Sequence, residues 1–559
     1  MNAELLLAHY ERIAEAPDAI TGLRRFILDL AVRGKLVEQD PNDEPASELL
    51  KRIAVERVRL VKLGEAQKGK DLSPAAEDAE FDLPQLWSWA RLGSITSYIQ
   101  RGKSPAYAEV DGLPVVSQKC VQWSGLNLGA ARLITRQSLE KYEKIRFLQD
   151  GDLLWNSTGT GTIGRIIKIK SLSDRLVCDS HVTVVRCLWV NPEYIRTWLR
   201  SDHVYGVIED RAAGSTNQVE LTAQMALNQV VPLPPLAEQD RIVSKVDELM
   251  ALCDQLETAQ ADREMGRDKL TLSTLAKLNE PDPETFADDA RFALEHLEPL
   301  TKRTNQIKQI RKTILSLAVR GKLSEQDPND EPASELLANI ARERARLIKA
   351  GEIQRDKTLD EIKAVEFPFD LPPRWEWSRL GSLIHLVSGQ HLQPSEYTET
   401  QNGGLPYITG PSDFGDDGLQ VSRFALVRKA VAKRGQLLLT VKGSGVGKAT
   451  TCDIPEVAIS RQLMALAAIG WNRSFLVLLT HRLAESLQES ARSLIPGIAR
   501  EDVEQFIVAL PPLAEQHRIV AKVEELMALC NQLEASLIEG EKTRSKLLEA
   551  VLHQALEPA

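Results

Sequence analysis

LAVRGKLVEQDPNDEPASELL at residues 30–50 returns as LAVRGKLSEQDPNDEPASELL at residues 317–337, with Val37 against Ser324 the single difference. A second block, LPPLAEQDRIVSKVDELMALCDQLE at 233–257, returns as LPPLAEQHRIVAKVEELMALCNQLE at 510–534 with four changes in 25 positions. Offsets of 287 and 277 residues make this a repeat of about half the chain. A repeat of that length sets the architecture before any local signal is read. Each half is a leading block, a middle segment and a trailing block. The middle segments open alike, LPQLWSWARLGSI at 83–95 and LPPRWEWSRLGSL at 371–383, and then lose their likeness. Two domains of one fold with different surfaces follow, because drift without function would not spare the outer blocks and erase the middles.

The blocks read as helix. Apolar residues run at helical spacing through 26–32 and 314–319 and stop at Arg33-Gly34 and Arg320-Gly321, a basic last turn with the glycine that favours a helix end. EQDPNDEP then breaks the helix, and Pro45 or Pro332 opens the next in an acidic context suited to an N-terminus. In the trailing blocks Ile242, Val246, Leu249, Cys253 and Leu256 keep a 4-3-4-3 spacing, as do Ile519, Val523, Leu526, Cys530, Leu533 and Leu537. Such a stripe needs a partner helix. That partner is the twin trailing helix or a leading helix, giving long antiparallel helices in an internal coiled coil about a pseudo-two-fold axis, with Cys253 and Cys530 in the seam. Within the middles, VTVVRCLWV at 182–190 and GQLLLTV at 435–441 read as strands, and 192–200 and 475–487 as helices. The predicted class is α+β (mixed α/β), organised as a helical segment at 1–80, a domain at 81–235, a central helical segment at 236–364, a domain at 365–512 and a helical segment at 513–559.

At 559 residues the chain can bury several cores. No apolar run approaches the ~20 residues a bilayer span needs, and the start MNAELLLAHYERIAEAPDAI lacks a signal peptide's pattern, so the expected location is the cytoplasm. Cys120, Cys178, Cys187, Cys253, Cys452 and Cys530 form no C-x-x-C pair, which argues against a disulfide framework or a zinc site. The formal charge of −10 is concentrated in the helical segments: residues 81–235 hold 17 basic and 14 acidic side chains, residues 365–512 hold 14 and 15. Neither middle is strongly basic, which weighs against a DNA-binding protein that works alone. Lys442-Gly443-Ser444-Gly445-Val446-Gly447-Lys448-Ala449 suggests a phosphate loop, but Lys442 stands where glycine is required and Ala449 where a hydroxyl must hold magnesium. A tight turn after a strand fits this stretch and its counterpart, 156–165. The nine histidines lack metal-ligand spacing, and no nuclease, deaminase or adenine-methyltransferase motif occurs. The pattern is that of a reader, not a catalyst.

The tandem arrangement, above all L-P-P-L-A-E-Q-x-R-I-V at 233–243 and again at 510–520, resembles the specificity subunit of type I restriction-modification enzymes over essentially the whole chain. The resemblance implies two target-recognition domains, each reading one half of a bipartite double-stranded DNA site, with two long helices between them as a ruler. It also implies two modification subunits docked on the scaffold, restriction (translocase-nuclease) subunits able to join, and no catalysis or cofactor on this chain. S-adenosylmethionine, ATP and Mg2+ then belong to the partner subunits. Twin outer blocks suit two copies of one partner on quasi-equivalent surfaces. The corresponding partner and scaffold residues are Leu233, Pro234, Pro235, Glu238 and Gln239, with Leu510, Pro511, Pro512, Glu515 and Gln516. Phosphate contacts made by partners would account for the acidic sum, leaving base edges to this chain.

Matching the middles to each other and to the family pattern yields DNA-contacting candidates. They are Lys103, Ser117, Gln118, Lys119, Asn156, Thr158, Ser180, His181 and Asn217 in the first domain. In the second they are Gln390, His391, Thr409, Ser412, Lys442, Ser444, Arg461, Gln462 and Arg500. This matching sets Ser180-His181 against Ser460-Arg461-Gln462, and Asn156, Ser157 and Thr158 against Thr440, Lys442 and Ser444. Gln, Asn, Arg and Lys can pair bidentately with bases, which motivates the choice. The alternatives are a coiled-coil adaptor and a stand-alone DNA-binding regulator, the latter expected to show a basic helix-turn-helix. Neither explains why the outer blocks stay alike while the middles differ.

Overall fold

A computed structural model describes residues 15–556 apart from 68–71, 73, 160, 173–174, 209–219, 281, 283, 355–358, 402, 416–417, 444 and 491–496. The chain divides into two units, Met1–Arg263 with Gly540–Ala559, and Glu264–Glu539. The first half runs α1 (Ala19–Val32), α2 (Ala46–Leu63), β1 (Ser88–Arg91), β2 (Thr96–Arg101), β3 (Leu153–Asn156), β4 (Ile166–Lys168), β5 (Val182–Cys187), α3 (Pro192–Leu199), β6 (Val230–Leu233) and α4 (Leu236–Asn279). The second half repeats it as α5 (Thr304–Val319), α6 (Ala333–Lys349), β7 (Glu376–Arg379), β8 (Ile384–Ser388), β9 (Leu437–Thr440), β10 (Ala449–Thr451), β11 (Leu463–Ala468), α7 (Arg473–Ser490), β12 (Ile507–Leu510) and α8 (Leu513–Leu556). The mixed helix-and-sheet class is as the sequence indicates. No helix among the described residues is long and apolar enough to cross a membrane.

Each middle is built on a four-stranded antiparallel sheet of the same topology, β2-β5-β3-β4 in one and β8-β11-β9-β10 in the other. The outer sheets differ: three short strands (Tyr107–Ala108, Leu113–Val115, Arg132–Ile134) in the first domain, and five (Tyr397–Thr398, Leu405–Ile408, Phe424–Ala425, Val431–Lys433, Glu456–Ile459) in the second. At its base each domain is closed by a pair made of its first and last strands, with Ser88 opposite Leu233 in β1–β6 and Glu376 opposite Leu510 in β7–β12.

The trailing stripe finds its partner in a leading helix. Ile242, Val246 and Cys253 of α4 share a core with Ile27, Leu28 and Ala31 of α1, while Arg24 pairs with Asp254 at 2.6 Å and Glu257 at 2.7 Å. Ile519, Val523 and Cys530 of α8 do the same with Ile307, Ile314 and Ala318 of α5, and Arg311 pairs with Glu534 at 2.7 Å. Burial pushes both seam thiols up, as expected of core cysteines. The far ends of the long helices also contribute: Leu548 of α8 packs on Ala16 and Ala19 in the first unit, and Thr271 of α4 accepts from Gln306 at 3.1 Å in the second.

The L-P-P-L-A-E-Q motif is the joint between sheet and long helix. The Trp87 indole N–H donates to Glu238 Oε2 at 3.0 Å and Gln39 donates to its other oxygen at 3.2 Å. In the second half Trp375 donates to Glu515 at 2.8 Å, with Gln326 at 2.6 Å and Ser324 at 3.2 Å on Oε1. The next residue locks the following helix: Gln239 accepts from the Asn191 N–H at the start of α3 (2.8 Å) and donates to the Pro234 carbonyl (2.9 Å). Gln516 repeats both bonds with Asn472 (3.0 Å) and Pro511 (2.9 Å). Glu238 and Glu515 are 1 % exposed, and Leu233, Pro234, Pro235, Gln239, Leu510, Pro511, Pro512 and Gln516 are buried as well. This corrects the partner part of the sequence reading, since atoms without surface offer nothing to another subunit; these ten residues hold the scaffold. Burial raises both carboxyls above their ordinary value, and the indole donors oppose that rise.

His203 bridges Asp29 and Glu80, each at 2.8 Å, and stacks on Trp198 at 5.5 Å. Burial lowers its pKa, but the two carboxylates outweigh burial and push it up to about 9.

Removing the indole donor leaves a buried carboxylate oxygen short of a partner. Trp87→Phe should therefore lower the stability of the first unit by about 1–3 kcal/mol, read as a fall in its thermal midpoint, with Trp375→Phe doing the same to the second. His203 is bound in its protonated form, so its contribution is whole below the unfolded value near 6.5 and is lost as pH rises through about 9. A melting series should show a decline over that window, worth up to ~3 kcal/mol, that His203→Gln flattens; an unchanged slope would refute the assignment.

Candidate nucleic-acid interface

Five loops meet at one end of each four-stranded sheet, drawn together by main-chain hydrogen bonds. In the first domain the Gly102 N–H donates to the Val182 carbonyl (3.0 Å), Asp179 to Val116 (2.9 Å), Ser157 to His181 (2.9 Å), Asn156 to Arg165 (2.8 Å) and Leu221 to Ser157 (2.8 Å). The second domain repeats the set: Gly389 to Leu463 (3.0 Å), Ser460 to Ile408 (3.0 Å), Val441 to Gln462 (2.7 Å), Thr440 to Lys448 (2.8 Å) and Ile498 to Val441 (2.8 Å). The crossing after β2 and β8 is so close that only glycine fits. A Cβ at Gly102 would lie 2.1 Å from the Asp179 carbonyl oxygen, and one at Gly389 1.9 Å from that of Ser460.

These bonds fix the correspondence between domains and revise the sequence matching. Asp179, not Ser180, stands opposite Ser460, and His181 opposite Gln462. Ser117 corresponds to Thr409, Gln118 to Gly410, Lys103 to Gln390, Asn156 to Thr440 and Thr158 to Lys442. The loop between β9 and β10 is one residue shorter than that between β3 and β4, as the closing bonds Gly164 to Asn156 and Gly447 to Thr440 show. That loop joins two antiparallel strands in both domains, so the glycine-rich stretch is a hairpin turn and no helix follows it as a phosphate loop demands.

The candidates fall into two groups. Lys103, Lys119, Gln390, His391, Ser412, Lys442, Arg461 and Gln462 are exposed, and Gln118, Ser180 and His181 are half-buried. Lys103 is 3.8 Å from Glu143, and Ser180 is 3.1 Å from the Ser104 hydroxyl. Ser117, Asn156, Thr158 and Thr409 are engaged within the corner. Ser117, Asn156 and Thr158 are buried: Asn156 Nδ2 donates to the Gln118 carbonyl (3.1 Å), and the Thr158 hydroxyl is 2.7 Å from His181 Nδ1. Thr409 gives both its N–H (2.6 Å) and hydroxyl (2.8 Å) to Asp413. Arg500 opens a short helix and pairs with Glu504 at 2.7 Å, outside the corner. Asn217 and Ser444 lie outside the described residues. A side chain enclosed in the fold cannot reach a base edge, so the buried members shape the surface and do not form it.

Sequence reasoning missed a matched pair beside the corner. Arg132 lies 3.4 Å over the Tyr107 ring and Arg423 5.5 Å over that of Tyr397. The two tyrosines were alignable; their arginines come from partner strands that no local spacing connects to them.

Residues 372–540 match the family described as "Type I restriction modification DNA specificity domain". The type I restriction enzyme EcoAI specificity subunit of Escherichia coli is 30% identical over 571 residues, spanning 96% of this chain and 94% of that one. The EcoEI specificity subunit of Escherichia coli is 30% identical over 582 residues, with the same 96% and 94% coverage. The HsdS subunit from Thermoanaerobacter tengcongensis superposes with a TM-score of 0.44 at 21% identity, over 86% of this chain and 98% of that one. The chain belongs to the family of type I restriction-modification specificity subunits. It is the component that recognises the DNA target and is not itself the catalyst.

Proposed function

We propose that residues 81–235 and 365–512 are two target-recognition domains, each reading one half of a bipartite double-stranded DNA site through its loop corner. Segments 1–80, 236–364 and 513–559 form the frame that spaces them and docks two modification subunits, which restriction subunits then join. Methyl donor, ATP and Mg2+ sit on those subunits; this chain holds no catalytic group, acts in the cytoplasm and supplies base-edge contacts, while its partners share the phosphates. One observation carries the reading: the outer blocks and the sheet topology repeat, and the side chains on the loops at the sheet end do not. A frame used twice with two different tips suits two copies of one partner and two different half-sites.

Replacing residues 92–229 with the equivalent segment of a relative should change one half of the methylated sequence in cells and leave the other intact. Methylome sequencing reads this directly, and an exchange that altered both halves would defeat the division of labour. The spacer is the second expected outcome. Seven residues, about two turns or 11 Å, inserted after Arg263 in α4 together with seven after Glu539 in α8, where each helix passes from one unit to the other, should lengthen the preferred spacer by about three base pairs at ~3.4 Å each. An unchanged spacer in an assembled, active complex would rule out the ruler.

A further inference from the structure

We propose that Gln118 and Gln462 are one base-reading amide, delivered to the same place in the two domains from two different loops, and that each pairs with adenine in its half-site. This rests on the half-site reading above. The backbone register puts Gly410 where Gln118 stands, and His181 where Gln462 stands. In the first domain the Gln118 side chain lies on the glycine turn, its Cγ and Nε2 each 3.5 Å from where a Cβ on Gly159 would be. In the second domain Gly443 occupies the Gly159 position, and the side chain beside it is Gln462, with Oε1 3.9 Å from the corresponding point. Gly410 makes the room: a Cβ there would lie 2.6 Å from Gln462 Oε1. In the first domain His181 is turned aside onto Thr158, at 2.7 Å, which leaves the place to Gln118.

Each domain thus sets one glutamine over its turn, held by its own backbone. Asn156 donates to the Gln118 carbonyl at 3.1 Å, and the Gln462 N–H donates to the Ser460 hydroxyl at 3.1 Å. Among the described residues neither side-chain amide has a hydrogen-bond partner within the chain. An amide offers an acceptor and two donors side by side, which matches N7 and the N6 amino group of adenine in the major groove. A free amide at equivalent positions, reached by compensating changes at two sites, is what a shared base contact demands and what turn polarity alone does not.

The test is competition binding by the complex assembled with its modification subunits, using duplexes that carry each base pair in turn at every position of the methylated motif. Gln118→Ala should lower the preference for A·T at one position of one half-site by about 10-fold, and Gln462→Ala should do so in the other half-site only. Gln118→Glu keeps the shape but loses the donor, and should move that preference toward C·G. Gln118→Gly with His181→Gln copies the second domain's arrangement and should restore the preference for A·T. Unchanged discrimination, weakening that is uniform over all duplexes, or relaxation at a G·C position would each overturn the proposal. The exchange of residues 92–229 separates the two ideas: if it moves one half-site while Gln118→Ala changes no base preference, the half-site reading stands and the glutamine assignment falls.

Discussion

A carboxylate taken out of water costs several kcal/mol unless donors meet it, and each half of this protein is organised around one such group. Glu238 and Glu515 sit in the first turn of a long helix, where the helix dipole favours a negative charge, yet almost none of their surface is left to solvent. Their donors come from separate segments of the same half: an indole from the opening of the domain and an amide from the connector between leading helices. Sheet, connector and long helix must therefore be in place together for the charge to be tolerated. The neighbouring glutamine extends the demand to a fourth segment by holding the first N–H of the helix that backs the sheet. The direction in which the long helix leaves its domain is set at this point.

Much of this frame was legible in the residues. The repeat announced two halves, helix ends appeared where basic turns and glycine predicted them, and the strand runs at 182–190 and 435–441 contain β5 and β9. The meaning of the trailing motif was not legible. The resemblance offered the motif as partner and scaffold residues alike; the indole donors that enclose its glutamates lie 151 and 140 residues away in sequence, and only folding reveals them.

The loop corner was half legible for a different reason. Polar residues near glycine turns could be picked out as a group, but which of them face outward depends on main-chain bonds between loops far apart in sequence. Asn156 and Thr158 carry the same side-chain chemistry as exposed candidates and are spent on holding Gln118 and His181. The arginines over Tyr107 and Tyr397 escaped because a cation above a ring is a property of strand pairing, not of spacing.

The strand pair at the base of each domain has a thermodynamic consequence for what the frame can tolerate. Because β1 lies beside β6 and β7 beside β12, the chain departs and returns within one inter-strand distance, about 4.8 Å. To the frame, everything between is a closed loop of 138 residues in one half and 127 in the other. The entropy of closing a loop grows only with the logarithm of its length, so that difference is worth less than ~0.1 kcal/mol. In closure entropy the frame is thus nearly indifferent to the length of what it carries, and it is side-chain ties such as Asn191 to Gln239 and His203 to Asp29 that couple the two.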